Sequence, residues 1–177
     1  MKVLIVIDMQ KDFVDGVLGT PEAQAIVPNV TAKVKEYIDN DDVVLYTRDT
    51  HFENYLDTME GKYLPVPHCI DHTEGWQIVP EVFVENSEVV DKLTFGSYAV
   101  ADAIIPACGR QYGNINVESI ELCGVCTDIC VISNALIIKS IFHDIPIFID
   151  SKCCAGVTPA KHEAALEVMR SCHIEVR

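Results

Sequence analysis

The stretch 116–150, NVESIELCGVCTDICVISNALIIKSIFHDIPIFID, reads as strand, helix, strand. Asn116–Gly124 is a short run ending in a β-branched, apolar segment, and Pro146–Asp150 is another, with its Pro at the strand start. Between them Thr127–Phe142 carries apolar residues on nearly every side, which predicts a helix buried on several faces. Two strands joined by a helix are parallel neighbours, because a parallel pair needs a long crossover. The same alternation extends in both directions.

Upstream, Lys2–Asp8 is an apolar strand bounded by Gln10 and Lys11, and Gly16, Gly19 and Pro21 mark a loop. Pro28 is expected to open a helix with Val30, Val34 and Ile38 on one face. Asp42–Thr47 is the second strand and Ser87–Lys92 the third. Ser97 to about Ala107 is a helix with Tyr98, Ala101 and Ile105 in line. Downstream, Thr158 is an N-cap with Pro159 at the first helical position; that helix runs to about Arg170, and Ile174–Val176 is a sixth strand. The expected fold is therefore α/β: one domain over residues 1–177, three layers, with a six-stranded, mostly parallel, Rossmann-like sheet covered on both faces. The polar and aromatic stretch from Arg48 to about Val84, with Pro65, Pro67 and Gly75, is too long for a mere connection and is expected to be functional.

Composition narrows the function. Acidic residues outnumber basic ones, 27 to 13, which argues against nucleic acid and anionic membranes as partners. No apolar run approaches a membrane span, and Val3–Ile7 is too short and too soon ended by Asp8 for a signal peptide. The eight cysteines have irregular spacing, so free thiols in a reducing, cytoplasmic compartment are expected. Cys126 and Cys130 have no second pair with which to build a structural zinc site.

Ligands in open parallel sheets bind beyond the carboxyl ends of the strands. Three polar residues stand there: Asp8 after the first strand, Lys92 after the third and Cys130 in the turn after the fourth. Taken singly, each has an ordinary structural explanation. Together they form a chemistry: a thiol whose thiolate a helix N-terminus would favour, a carboxylate to move its proton, and a cation to hold the carboxylate. Backbone N–H groups near Cys126 and Cys130 can supply an oxyanion hole.

The segments IDMQKDF (7–13), VVDKLTFGS (89–97) and CGVCTDICV (123–131) resemble, in order and across essentially the whole chain, the isochorismatase-like cysteine hydrolases, of which the nicotinamidases are the metal-containing branch. The resemblance implies that Cys130 is the nucleophile, Asp8 the acid and base, and Lys92 its partner. It also implies a cis peptide at Val125–Cys126 that aims the Cys126 N–H into the oxyanion hole, with cysteine where alanine is usual. TRDTH (47–51) and PVPHC (65–69) match the branch's metal segments, implying one divalent ion on Asp49, His51 and His68. Glu60 is the expected fourth ligand, with Glu53 and Asp57 as rivals. Zinc is the expected ion, with iron or manganese as alternatives that the donor set does not separate. Phe13 matches a ring-pocket aromatic; Phe95 and Tyr98 are either pocket or core. The branch often places a tryptophan shortly before the second histidine, where this chain has Tyr63–Leu64; its one tryptophan is Trp76.

The expected activity is hydrolysis of a small carboxamide, nicotinamide first, through a thioester. The alternatives are another amide, carbamoyl or ureido compound, isochorismatase-type vinyl ether hydrolysis, or a binding protein without catalysis. The metal residues weigh against the vinyl ether reaction, and retention of Asp8, Lys92 and Cys130 against a binding protein. Self-association as a homo-oligomer is an expectation from the apolar helix and the family habit. His72, His143, His162 and His173 receive no role.

Overall fold

A computed structural model describes residues 1–107 and 117–177. Its six strands are β1 (Lys2–Ile7), β2 (Val43–Asp49), β3 (Glu88–Lys92), β4 (Ser119–Val125), β5 (Ile147–Ala155) and β6 (Glu175–Val176). They form one sheet in the order β3-β2-β1-β4-β5-β6, parallel at every pairing. The helices are α1 (Lys11–Val14), α2 (Pro21–Asp39), α3 (Met59–Tyr63), α4 (Tyr98–Ala107), α5 (Ile132–Ile141) and α6 (Pro159–Ser171). Helices α4, α5 and α6 pack side by side, while α2 lies against β1, β2, β4 and β5. Right-handed crossovers explain this split. The chain winds one way from β1 to β2 and the other way from β4 to β5, so the two crossover helices fall on opposite faces. Val3–Ile7 of β1 are fully buried at the sheet centre. The reversal of strand order falls between β1 and β4, and there the crevice opens at the carboxyl ends of the strands.

Several elements differ from expectation. The helix expected at Pro28 begins at Pro21, where the Thr20 side chain accepts a hydrogen bond from Ala23 N. Pro21 carries the same first-turn signal seven residues earlier, and Pro28 rides inside the helix. Its buried face is Ala23, Ile26, Val30, Val34 and Tyr37; Ile38 is 44% exposed. Tyr98 is 70% exposed, and α4 instead buries Val100, Ala101, Ile104 and Ile105. Strand β1 ends at Ile7, because Asp8 turns to a left-handed φ of 47°. Strand β2 runs on to Asp49, which pairs with Lys92. Strand β5 runs on to Ala155, keeping register with Val125 after a bulge between Leu122 and Gly124. The expected helix 127–142 splits into a π-helical turn, Thr127–Val131, and α5, and its last residues Ser140 and Ile141 are exposed. Asn116, the expected start of β4, lies outside the described residues. No helix among the described residues is long and apolar enough to cross a membrane.

Gly124 sits at the switch point with φ +115°, and a Cβ there would stand 2.1 Å from Ile7 O. Any side chain would force β1 and β4 apart just before the turn that carries Cys130. Gly124→Ala should therefore lower stability by about 3 kcal/mol or more, read as a fall in the urea midpoint with unchanged slope.

Candidate active site and metal centre

The carboxyl ends of β1, β2 and β3 bring Asp8, Asp49 and Lys92 together beside the turn after β4. All three are buried. Lys92 Nζ lies 2.7 Å from Asp8 Oδ2 and 3.2 Å from Asp49 Oδ1, and donates to Cys130 Sγ at 3.5 Å. The other Asp8 oxygen accepts from Thr47 Oγ1 at 2.6 Å, and Asp8 N donates to the same hydroxyl. Burial, the largest influence, pushes the Asp8 carboxyl up, and Lys92 offsets only part of it. Burial opposes the Lys92 charge, but Asp8, Cys130 and Asp49 outweigh it and hold the ammonium protonated.

Cys130 lies in the π-helical turn, and its thiol is pushed well up, first by burial and then by Asp8, with Lys92 pulling the other way. Desolvation thus favours the neutral thiol, against the thiolate that a helix N-terminus favours. A base that takes the thiol proton is at hand in Asp8, whose raised pKa suits that role. The Val125–Cys126 peptide is cis, as the resemblance implies. Burial, followed by Asp128 and Asp8, pushes the Cys126 thiol up to about 12.

A second cluster adjoins the first through Asp49. One ligand atom each from Asp49, His51, Glu60 and His68 lies within 4.8 Å of the others. His51 Nε2 is 3.0 Å from Asp49 Oδ2 and 3.6 Å from Glu60 Oε1, and His68 Nε2 is 3.8 Å from each. Ligands about 2.0 Å from a tetrahedral ion stand about 3.3 Å apart, so the spacing suits one. His51 Nε2 is buried and makes no hydrogen bond among the described residues. His68 Nδ1 contacts Val66 O at 2.8 Å; as donor there it leaves Nε2 bare toward the cluster. The donor set fits a divalent metal ion. Burial raises the Asp49 carboxyl, but His51 and Lys92 outweigh it and hold it below its ordinary range. Glu53 and Asp57 are exposed and outside the cluster. Glu60 enters it because α3 is capped by Thr58, whose hydroxyl accepts from Gly61 N, and because Gly61 lies where a Cβ would meet Tyr55 O at 2.2 Å.

The long connection supplies this scaffold. It holds a 3-10 turn (Tyr55–Asp57), helix α3 and bridges pairing His51 with Ile70 and Gln10 with Ile78. Several supporting residues were not foreseen. Buried Gln10 accepts from Asp49 N and donates to Asp49 O and Trp76 O. Asp12 Oδ2 accepts from Cys69 N, holding the turn after His68. Tyr55 packs on both metal-site histidines at 4.7 and 5.1 Å. Asn134 donates to Cys130 O and Phe95 O and accepts from Ser97 N, tying the loop after β3 to the nucleophile turn. Polar residue type alone is the only sequence signal these carry. Of the four histidines without an expected role, His162 contacts Thr127 Oγ1 at 2.8 Å and the other three are exposed.

Cys130 and the Asp49, His51, Glu60 and His68 cluster line one cavity of about 930 Å³, with Asp8 and Lys92 buried behind them. Phe13 lines it, 5.4 Å from the His68 ring, and so does Phe95; Tyr98 is not among the lining residues. Tyr63 and Leu64 line it too, whereas Trp76 is buried beneath the Arg48 guanidinium, 3.5 Å from its ring centroid.

A chain with this sheet, this cis peptide and this paired site belongs to the isochorismatase family, whose domain model matches residues 2–177. It is 32% identical over 146 residues to the uncharacterized isochorismatase family protein PncA of Bacillus subtilis, covering 76% of each chain. A nicotinamidase of Schizosaccharomyces pombe is 26% identical, covering 98% of this chain and 91% of the other. The crystal structure of the pyrazinamidase of Pyrococcus horikoshii in complex with zinc superposes with a TM-score of 0.81 at 26% identity, covering 99% and 98% of the two chains.

Lys92→Met would leave the Asp8 and Asp49 carboxyls facing each other without their cation. The expected cost is about 3–5 kcal/mol, measured by urea unfolding of the chelated chain. Without Lys92, Asp8 titrates still higher in the folded chain than in the unfolded one. The folded variant then binds more protons, so its stability falls as pH rises, and the deficit should be larger at pH 8 than at pH 5.

Proposed function

We propose that this chain is a cysteine amidohydrolase that converts nicotinamide and water to nicotinic acid and ammonia. The observation that carries this is Lys92, which touches Asp8, Asp49 and Cys130 and so joins a thiol–carboxylate pair to a metal-ligand cluster within one cavity. The relatives named nicotinamidase and pyrazinamidase support the substrate class.

Cys130 is the nucleophile and Asp8 the general base and acid. Asp8 takes the thiol proton as sulfur attacks the amide carbon, while the backbone N–H groups of Cys126 and Cys130 receive the developing oxyanion. Asp8 then protonates the nitrogen, the C–N bond breaks and ammonia leaves a thioester. Asp8 next takes a proton from water as it attacks, and returns it to the departing Cys130 sulfur. Lys92 keeps Asp8 oriented throughout. Asp49, His51, Glu60 and His68 would hold a divalent metal ion, zinc before iron or manganese, which would supply Lewis acidity toward the substrate ring. Phe13 packs against the ring.

Ammonia release from nicotinamide tests this function. Cys130→Ala should abolish release with an unchanged circular dichroism spectrum, whereas Cys123→Ala and Cys153→Ala should keep most of it. Asp8→Asn should lose about 10²–10⁴-fold. A fully active Cys130→Ala protein would sink the thiol mechanism.

Purified protein should contain one divalent ion per chain by elemental analysis. Chelation should stop nicotinamide hydrolysis yet leave Cys130 open to alkylation, because the ion positions substrate rather than activating sulfur. Metal-free protein indifferent to chelators would exclude the nicotinamide assignment.

A further inference from the structure

A single pyridine ring with its carboxamide leaves much of the cavity unfilled: about 930 Å³ is near the upper end of the roughly 300–1,000 Å³ that ligand pockets occupy. The unfilled space has a chemical character. Past the end of β5, Gly156, Val157 and Lys161 line it, whereas the cluster residue Asp49 ends β2, beyond β4 and β1 in the sheet. Lys161 lies in the first turn of α6, capped by Thr158. Its ammonium is exposed and makes no ion pair or hydrogen bond among the described residues. Three other cations are engaged: Lys92 with Asp8, Lys11 with Glu74 and Arg48 with Asp91. The neighbouring carboxylate, Asp128, is occupied in accepting from Val157 N at 2.9 Å. The Lys161 charge reaches the nucleophile turn: burial, Asp128 and Asp8 push the Cys126 thiol up, and Lys92 and Lys161 are the cations that pull against them.

A free cation on this wall matters more because the chain carries 27 acidic against 13 basic residues, a field that repels anions at long range. The acidic groups that line the cavity, Asp49 and Glu60, belong to the metal cluster. The first-turn position adds the positive end of the α6 dipole to the lysine charge.

We propose that Lys161 forms an anion subsite on the β5 side of the cavity, extending the substrate range to small amides that carry a carboxylate. This deepens the amidohydrolase reading and rests on Cys130 as the reacting group. The carboxylate would pair with the ammonium while the carbonyl carbon meets Cys130, so the gain appears in binding and orientation rather than in the bond-breaking step.

Iodoacetate and iodoacetamide form a probe pair of nearly equal size that differs in charge. Each loses iodide as Cys130 sulfur forms the new S–C bond and gives up its proton. Rates at Cys130, resolved by peptide mass spectrometry, should be compared for the full chain, Lys161→Ala and Lys161→Glu. The iodoacetate-to-iodoacetamide rate ratio should fall about three- to fivefold in Lys161→Ala and further in Lys161→Glu. The iodoacetamide rate should stay within about twofold, and the contrast should shrink in 1 M salt. Equal ratios in all three proteins would overturn the subsite, as would failure of both reagents to reach Cys130. In a second arm, nicotinamide bearing a ring carboxylate at position 5 is compared with its methyl ester; Lys161→Ala should raise KM for the acid alone. Absence of nicotinamide turnover in the unsubstituted chain would overturn the nicotinamide assignment, while the alkylation ratio still decides the subsite.

Discussion

The ammonium of Lys92 is the constraint on which the site depends. Two carboxyl groups and a thiol are buried within reach of one another, an arrangement that repulsion and desolvation would disperse without a cation among them. The cation comes from the last residue of β3, the edge strand, and the parallel register sets Lys92 beside Asp49. Asp49 then faces two ways. Its Oδ1 meets Lys92, and its Oδ2 meets His51 and His68. One side chain thus joins the Asp8, Lys92 and Cys130 group to the candidate metal ligands, and a shift in the register of β2 against β3 would undo both.

The remaining polar residues keep this arrangement rigid. Gln10 holds Asp49 at the end of β2 through two hydrogen bonds and Trp76 O through a third, and Asn134 holds the Cys130 turn through one and the loop after β3 through two. Each satisfies backbone groups that leave a regular element near the cavity, where unpaired donors and acceptors would be costly. Thr47 serves Asp8 in the same way, giving a hydrogen bond to the carboxylate and receiving one from its backbone. The histidine half of the site is packed rather than pinned. Tyr55 lies against both rings, and its own hydroxyl donates to Leu64 O. Precise geometry therefore comes from fixed neighbours, as transition-state stabilisation requires.

What the sequence by itself determined is what local pattern encodes. Apolar runs of strand length alternating with helices are visible in 2–8, 120–124 and 146–150, and they imply a parallel sheet because no other closure buries them. The N-cap at Thr158 was legible for the same reason, since cap and partner lie three residues apart. The chemistry-bearing residues Asp8, Lys92 and Cys130 could be picked out as strand-end polar groups, and the motif order carried the family. The helix start was misplaced from Pro21 to Pro28 because two prolines offer the same local signal, and only packing against the sheet, through Ala23 and Ile26, decides between them.

Tertiary structure alone decided the rest. Glu60 rather than Glu53 or Asp57 enters the metal cluster because α3 packs Gly61 against Tyr55, a contact that residue type does not announce. The upward push on the Cys130 thiol is not legible from its place near a helix start, since a dipole is a local property whereas burial depends on every element around the thiol. Gln10, Asn134 and the unpaired Lys161 have functions set by partners dozens of residues away, or by their absence among the described residues. Periodicity and capping act within a few residues and leave their mark in the sequence. Register, desolvation and charge pairing act through space between distant segments, and they exist only once the sheet has brought the strand ends together.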